Sequence, residues 1–501
     1  MTVAIEPGPI RATGELGEYR RLRQAPRASA LSRADLTSRS SAQAHHVATL
    51  AHLSDLHLAD VGSPARLEFA MRDGGGDPQW GGLVDWVFRP HELLTSHAAA
   101  SMVRTLASLE TDLCIVTGDN IDNAQHNELD AYLNLLDGGI VDLWPAGRYE
   151  GVQDPGFADD WYWTPEAVSD RYKRLWGFPS WPGLLDTAAQ PIRSDGLGHP
   201  WLACAGNHDL LVGGSCARLE ELEHLAVGDA KPLRLPHDVP TDPLLTYLTD
   251  PARLFTGDSA EVTAFSRRRF VSPTDFVDAH FRHDARPAGH GFERSVRPYY
   301  AYDLDARIRV LMLSTDNLRG HWDGTVDADQ YEWLRHQLDL ARGSDAPFLI
   351  LASHHASRSM DNTFDGCALS RDAISAEQVI SLAATHPRVI LWLNGHHHAN
   401  RITAHHGPGG GFFEVTTSAV IDWPSQARQL HILEEPGEIV RIESVMVDHD
   451  GLVDPWSTPE DPRALAGLHR ELALNDSLRA GRLGVAGGPA DRDVIMRVPV
   501  T

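Results

Sequence analysis

Five short blocks in a chain of 501 residues carry side chains able to hold metal ions. They read Ser54-Asp55-Leu56-His57, Gly118-Asp119-Asn120, Gly206-Asn207-His208-Asp209, Ser353-His354-His355 and Asn394-Gly395-His396-His397-His398. Imidazole, carboxylate and amide oxygen together suit Mn, Fe, Zn or Ni. In an extended segment residues i and i+2 point the same way, so Asp55 with His57, and His396 with His398, are each expected to reach one metal cluster. The glycines at 118, 206 and 395 let the backbone turn tightly beside them. Alone, an Asp-x-His, a Gly-Asp-Asn or a histidine run is most often an ordinary turn. The five in this order, each placed after an apolar run, make coincidence a poor explanation.

Those runs are Val47–Leu53, Leu113–Thr117, Trp201–Ala205, Phe348–Ala352 and Val389–Leu393, with Val310–Ser314 as a sixth. Continuous apolar runs of this length suit strands buried on both faces. In open α/β sheets the carboxyl ends of strands are where sites assemble, so one edge is expected to collect all five blocks. Tyr299–Leu304 and Arg307–Leu313 read as a hairpin, and a β-meander is expected from Phe412–Thr417, Leu430–Leu433 and Glu438–Val447. Helical patterns cover His91–Leu109, Glu128–Leu136 and Asp327–Leu340, with apolar stripes such as Leu129, Tyr132, Leu133 and Leu136. Strands alternating with helices indicate a layered α/β domain.

Residues 45–450 are expected to form that domain. Residues 1–44 hold seven arginines against four acids and show no sustained period, which predicts a flexible N-terminal arm. Residues 451–501 read as an extension whose one helix, marked by Leu465, Leu468 and Leu472, packs on the core. Three stretches, about 62–90, 139–199 and 213–297, break the rhythm and read as insertions over the domain. Trp144, Trp161, Trp163, Trp176 and Trp181 of the second are expected to fill a small core of their own rather than line a substrate cleft.

Composition excludes several classes. The formal charge of −25 repels duplex DNA and anionic lipid, so neither a nucleic acid polymer nor a membrane is expected as partner. Lys173 and Lys231 are the chain's lysines; neither follows a glycine, so there is no G-K-[ST] phosphate loop. Four cysteines without a C-x-x-C exclude a disulfide scaffold and a thiolate zinc finger. Cys114 and Cys204 are expected to be buried, and a reducing, cytoplasmic location fits. No apolar run is long enough for a transmembrane helix, and no apolar segment of a signal peptide follows Arg20-Arg21.

The ordered blocks resemble the calcineurin-like metallophosphoesterase superfamily, whose pattern is D-x-H, G-D, G-N-H-[DE], a strand-ending His, and G-H-x-H. The similarity spans about residues 47–450, and Asp316 and Gly324-Thr325-Val326 ahead of Gln330-Tyr331-Glu332-Trp333-Leu334 add to it. It implies a four-layer α-β-β-α sandwich with the insertions over the active-site edge. It also implies two adjacent divalent metals (Mn, Fe, Zn or Ni). Asp55, His57 and His398 would bind the first, Asn207, His354 and His396 the second, and Asp119 would bridge them. His208 would approach the phosphoryl group, oriented by Asp209. The fourth block lacks the usual proline and reads His354-His355-Ala356, so His354 and His355 both stand as ligand candidates, with His354 favoured. His397 is expected to face away. His45, His46, His405 and His406 are expected in solvent, and Asn123 and His126 at a helix start.

The chemistry implied is in-line attack on phosphorus by a metal-bridging hydroxide, with a formal site charge of about +1 to receive an anion. His208 would protonate the leaving oxygen or hydrogen-bond the developing charge. The amide of Asn207 matters to that count, since a third carboxylate would cancel it. A small phosphodiester such as a cyclic nucleotide is the first expectation for substrate. A nucleotide phosphatase or phosphomonoesterase is the alternative, and a non-catalytic metal-binding scaffold is the reading from another class. Residues that bind substrate, and the oligomeric state, are not legible.

Overall fold

Side-chain alternation along the buried strands sets the layers. In the computed structural model, which describes residues 3–74, 87–157, 160–238, 243–294, 297–343, 345–362, 364, 373–476 and 484–500, the strand Phe348–Ala352 turns Phe348, Ile350 and Ala352 into one core and Leu349 and Leu351 into another. Ile308–Met312 divides the same way, with Val310 on one side and Leu311 on the other. In Val389–Asn394 a register shift places Ile390 and Leu391 on the same side and Trp392 on the other.

The core holding Val310 and Ile350 lies between two sheets. A six-stranded sheet runs Tyr300–Asp303, Ile308–Met312, Phe348–Ala352, Val389–Asn394, Phe412–Thr416, Arg401–His405. A seven-stranded sheet runs Leu31–Ser32, Val494–Pro499, Ile439–Asp448, Gln426–Glu435, His45–Leu53, Leu113–Thr117, Trp201–Cys204. Helices Ala328–Leu340 and Ala376–Ala384 cover the six-stranded sheet with Leu334, Leu338, Val379 and Ala383. Helices Thr95–Ala107, His126–Asp137 and Pro462–Asn475 supply Met102, Leu129, Tyr132 and Leu468 to the central core. The result is the expected α-β-β-α sandwich. Helix starts obey local rules: Ser375 and Gln378 form a reciprocal capping box, and Asp327 accepts from Gln330 N.

Parallel pairing aligns the strand ends that matter. Leu50 pairs with Leu113 and Cys114 with Trp201 in one sheet, and Ile350 with Leu391 in the other. All five blocks therefore leave the sheets at one edge. Cys114 and Cys204 are buried within these strands, and burial pushes the Cys114 thiol up to about 12.

Three expectations change. The β-meander is divided between the sheets: Phe412–Thr416 pairs with Val389–Asn394 and Arg401–His405, whereas Gln426–Glu435 crosses over to pair with His45–Leu53. The flexible arm is instead a hairpin of Val3–Thr13 on Glu18–Pro26. Tyr19 is fully buried, and the Asn475 side chain bonds both backbone groups of Arg20. Its apolar partners, Ala473 and Val485, lie over 400 residues away, so no local period announces them. The C-terminal extension adds a strand, Val494–Pro499, to its helix.

The insertions also differ from one another. Trp144 and Trp163 join the central core, Trp161, Trp176 and Trp181 pack against it, and none borders the site. The described parts of the first and third insertions build a second core from Leu67, Phe69, Leu222, Tyr247 and Phe255. Residues 75–86 of the first insertion lie outside the described residues.

Candidate metal centre

The backbone at the strand ends is not extended. Asp55 (φ 54°), His57 (φ 45°), Asp119 (φ 48°), His396 (φ 66°) and His398 (φ 51°) are all left-handed. This corrects the expectation that strand alternation aligns the D-x-H and H-x-H pairs. Residues i and i+2 of a strand stand roughly 6.6 Å apart along the backbone. Left-handed turns draw them together, at a cost of about 1–2 kcal/mol per non-glycine residue. Cross-block hydrogen bonds hold the turns, from Asp55 N to Gly118 O (3.0 Å) and His57 N to Asp119 O (2.9 Å). A side chain at Gly395 would meet Ser54 Oγ at 1.9 Å and Asp55 Oδ2 at 2.3 Å, so the last block closes on the first only through a glycine.

The blocks converge into two poles. At the first, His57 Nε2 lies 3.2 Å from His398 Nε2, and His398 Nε2 lies 3.3 Å from Asp55 Oδ1. At the second, His354 Nε2 lies 3.0 Å from Asn207 Oδ1, and His396 Nδ1 lies 3.2 Å from that oxygen and 3.3 Å from His354 Nε2. Asp119 Oδ2 stands between, 3.5 Å from His57 Nε2 and 3.2 Å from His354 Nε2. Asp55, His57, Asp119 and His398 form one group whose donor atoms could hold an ion.

The second ring of partners decides which atoms face inward. His57 Nδ1–H donates to Asp122 Oδ1 (2.9 Å), His398 Nδ1–H to Asp422 Oδ2 (2.6 Å), and His354 Nδ1–H to Thr117 O (2.8 Å). Each partner is a pure acceptor, so the outer nitrogen carries the hydrogen and the inner one is the atom left to bind a proton or a metal ion. Asn207 Nδ2 donates to Gly214 O (2.8 Å), which turns Oδ1 inward. Nitrogen and oxygen atoms of imidazole, amide and carboxylate thus face one another at contact distance, an arrangement that bound positive charge, whether a metal ion or protons, satisfies. Burial lowers the His354 imidazole, yet Asp119 and Asp55 overcome it and push it up to about 10. Burial likewise opposes Asp55 and Asp422 at His398, which stands at about 9. Asp119 is held well below the usual carboxylate range: burial raises it, and His354 and His208 outweigh that.

His355 does not face this space in the same way. Its Nε2–H donates to Trp322 O (3.0 Å) and its Nδ1 accepts from Thr315 Oγ1 (2.8 Å). Both nitrogens are engaged, although His355 lies close enough to group with His354 and His396. His397 borders the cavity rather than facing away from it, and burial, then Arg358, holds it at about 3. His45, His46 and His406 are exposed, whereas His405 pairs with Glu414 (2.7 Å). His126 opens its helix, and Asn123 bonds Glu128.

His208 sits against the bridge. Its backbone N donates to Asp119 Oδ1 (2.8 Å) and its Nδ1–H to Asp122 O (2.9 Å). Burial would lower its pKa, but Asp119 and Asp122 raise it above the ordinary value. The expected His208–Asp209 contact is replaced. Asp209 accepts from the backbone of Asn120, Ile121 and Gly206 and from Asn120 Nδ2, tying two blocks together, while Asp122 takes the orienting position. Four donors converging on Asp209 leave its carboxylate no direction in which to meet the imidazole.

A cavity of about 290 Å³ opens over both poles. Leu67, Tyr247 and Trp322 line it together with His57, Asn207, His208, His396 and His398. Asp122, Asp422, Arg66 and Arg89 were not singled out from sequence. Asp122 carries a faint signal, three residues after Asp119; Asp422 carries none, since it is recruited from a different strand connection.

The calcineurin-like phosphoesterase family model matches residues 48–400, and the chain belongs to that family. No curated protein sequence matches. Among solved structures, the chain is similar to purple acid phosphatase PPD1 from yellow lupin (Lupinus luteus) seeds, with 11% identity over 86% of this chain and 55% of that one, and TM-score 0.32. It is also similar to PhoD, with 10% identity over 85% and 68%, and TM-score 0.33. A third is the 5'-nucleotidase from Candida albicans SC5314, with 9% identity over 87% and 58%, and TM-score 0.26. The chain thus spans little more than half the length of the lupin and Candida proteins.

Proposed function

We propose that the chain is a two-cation phosphoesterase. In this reading Asp55, His57 and His398 would hold one divalent ion, Asn207, His354 and His396 the other, and Asp119 would be shared between them. The observation that carries it is the set of three imidazoles whose outer N–H groups are bound by Asp122, Asp422 and Thr117 O, so that their inner nitrogens meet around Asp119. When bound, divalent ions of the Mn, Fe, Zn or Ni class would polarise the phosphoryl oxygens and make water nucleophilic near neutral pH.

The protein's own groups do the rest. Asn207 supplies an oxygen without a charge, so the site keeps a positive balance for an anionic ester. His208, with Nδ1–H committed to Asp122 O and its pKa raised by Asp119 and Asp122 against the effect of burial, borders the cavity, where its other ring nitrogen meets the leaving oxygen. Asp209 positions the Asp119 and Asn207 blocks relative to each other. Apolar walls from Leu67, Tyr247 and Trp322 exclude water from one side.

The cavity's volume of about 290 Å³ supports a small phosphate ester rather than a polymer. A phosphodiester such as a cyclic nucleotide and a terminal phosphoryl group both fit this chemistry. Among the described residues no helix is long and apolar enough to cross a membrane; the free thiols of Cys114, Cys204 and Cys216 are what supports a reducing, cytoplasmic location. The test is metal quantification with a turnover screen in Mn²⁺. Two ions per chain and hydrolysis of p-nitrophenyl phosphate or bis-p-nitrophenyl phosphate are expected. Two ions with no turnover of monoesters, diesters or pyrophosphate would establish the metal-binding scaffold instead.

A further inference from the structure

Two buried arginines border the same cavity, and they are held differently. Arg66 is enclosed by carboxylates: Nε donates to Glu68 Oε1 (3.2 Å), one terminal nitrogen to Asp122 Oδ2 (2.5 Å), and the other to Glu92 Oε2 (2.8 Å). Its charge is already spoken for. Arg89 is 2% exposed and donates from Nε to Asp422 Oδ1 (3.2 Å). Its terminal nitrogens form no hydrogen bond with any described residue; Asp122 Oδ1 stands 3.9 Å from one of them. A guanidinium offers five N–H donors, so Arg89 keeps four in reserve beside the pole built from His57 and His398. Asp422, the one carboxylate that its side chain hydrogen-bonds, is shared with His398 and His91.

Counting phosphoryl oxygens gives these donors a use. A phosphodiester has two non-bridging oxygens, which the two candidate metal poles can take one each, and a leaving oxygen for His208. Nothing charged remains for Arg89. A phosphomonoester has a third non-bridging oxygen and, near neutral pH, a second negative charge. A planar fork is the geometry that meets oxygens of that kind. We propose that Arg89 is a substrate-binding residue that takes the third phosphoryl oxygen and so selects a terminal phosphoryl group over a diester. This rests on the two-cation reading above, and it names the substrate class of that site.

The rival role is a brace: by touching Asp422, Arg89 could merely hold His398 in place. Arg89→Gln and Arg89→Lys separate the two when compared with the unaltered chain, each loaded with Mn²⁺. Four quantities are measured: bound metal, kcat/KM for p-nitrophenyl phosphate, kcat/KM for bis-p-nitrophenyl phosphate, and calorimetric affinity for inorganic phosphate. Arg89→Gln is expected to keep both ions, to lose on the order of 10–100-fold on the monoester and in phosphate affinity, and to change several-fold or less on the diester. Arg89→Lys, which keeps the charge but not the fork, falls between. Equal losses on both esters, or losses that follow metal content, overturn the proposal in favour of the brace. An unchanged monoester-to-diester ratio in Arg89→Lys overturns it as well if Arg89→Gln does not fold. If the unaltered chain binds metal but neither hydrolyses these esters nor binds phosphate, the two-cation phosphoesterase reading has failed before Arg89 is at issue.

Discussion

The two poles of the site use similar inner atoms and different supports. At the first, carboxylates stand behind both imidazoles: Asp122 behind His57 and Asp422 behind His398. At the second, the supports are main-chain carbonyls: Thr117 O behind His354 and Gly214 O behind the Asn207 amide. With the rest of the surroundings equal, a carboxylate makes the ring it accepts from a better metal donor than a carbonyl does; the high value at His354 comes instead from Asp119 and Asp55 in front of the ring. The first pole also owns Asp55 in addition to the shared Asp119, whereas the second adds only neutral donors. An ion at the first pole should therefore be held more tightly, and one at the second should be the more exchangeable and the more electron-demanding towards substrate.

Removing the group common to both poles should have the largest effect. Asp119→Ala is expected to reduce turnover to background and to lower the bound metal; full activity in that variant would end the bridging assignment. Next, His208→Ala should retain both ions and lose about 10²–10⁴ in rate. Loss of metal in that variant would place His208 among the ligands. Third, a chelator titration of the unaltered protein should release metal in two phases. Asp422→Asn, by weakening the first pole about 10–100-fold, should bring the phases together. Two phases left intact in Asp422→Asn would show that the carboxylate support does not set the difference. The smallest effect belongs to His355→Asn, which removes the bonds to Thr315 and Trp322. It should lower stability by roughly 1–2 kcal/mol, read from denaturant unfolding, with both ions kept. His354→Asn, by contrast, should empty the second pole, and the reverse pattern would exchange the two roles.

The five blocks were legible because each sits where a buried strand ends, and apolar runs of strand length are visible in any sequence. Asp55, His57, Asp119, Asn207, His354, His396 and His398 do lie together at two adjoining poles. The route by which they meet was not legible. Alternation along a strand would aim Asp55 and His57 alike, but left-handed turns and the bonds to Gly118 and Asp119 do the work instead. Asp209 looked like the partner of His208 because it is adjacent in sequence; in space its carboxylate is taken up by the Asn120, Ile121 and Gly206 amides. The N-terminal hairpin escaped notice because the surface it needs is supplied by a helix at the opposite end of the chain.

Local chemistry was thus settled by the order of residue types: which donors exist, which strands carry them, and that no lysine loop or thiolate cluster competes with them. Tertiary structure alone decided which nitrogen of each imidazole faces inward, which carboxylates stand behind those rings, and which cavity arginine has terminal nitrogens without a hydrogen bond to any described residue. The physical reason is range. Strand periodicity and turn chemistry act over a few residues, whereas a hydrogen bond such as that between His398 and Asp422, or between Arg89 and Asp422, depends on where separate connections come to rest against each other.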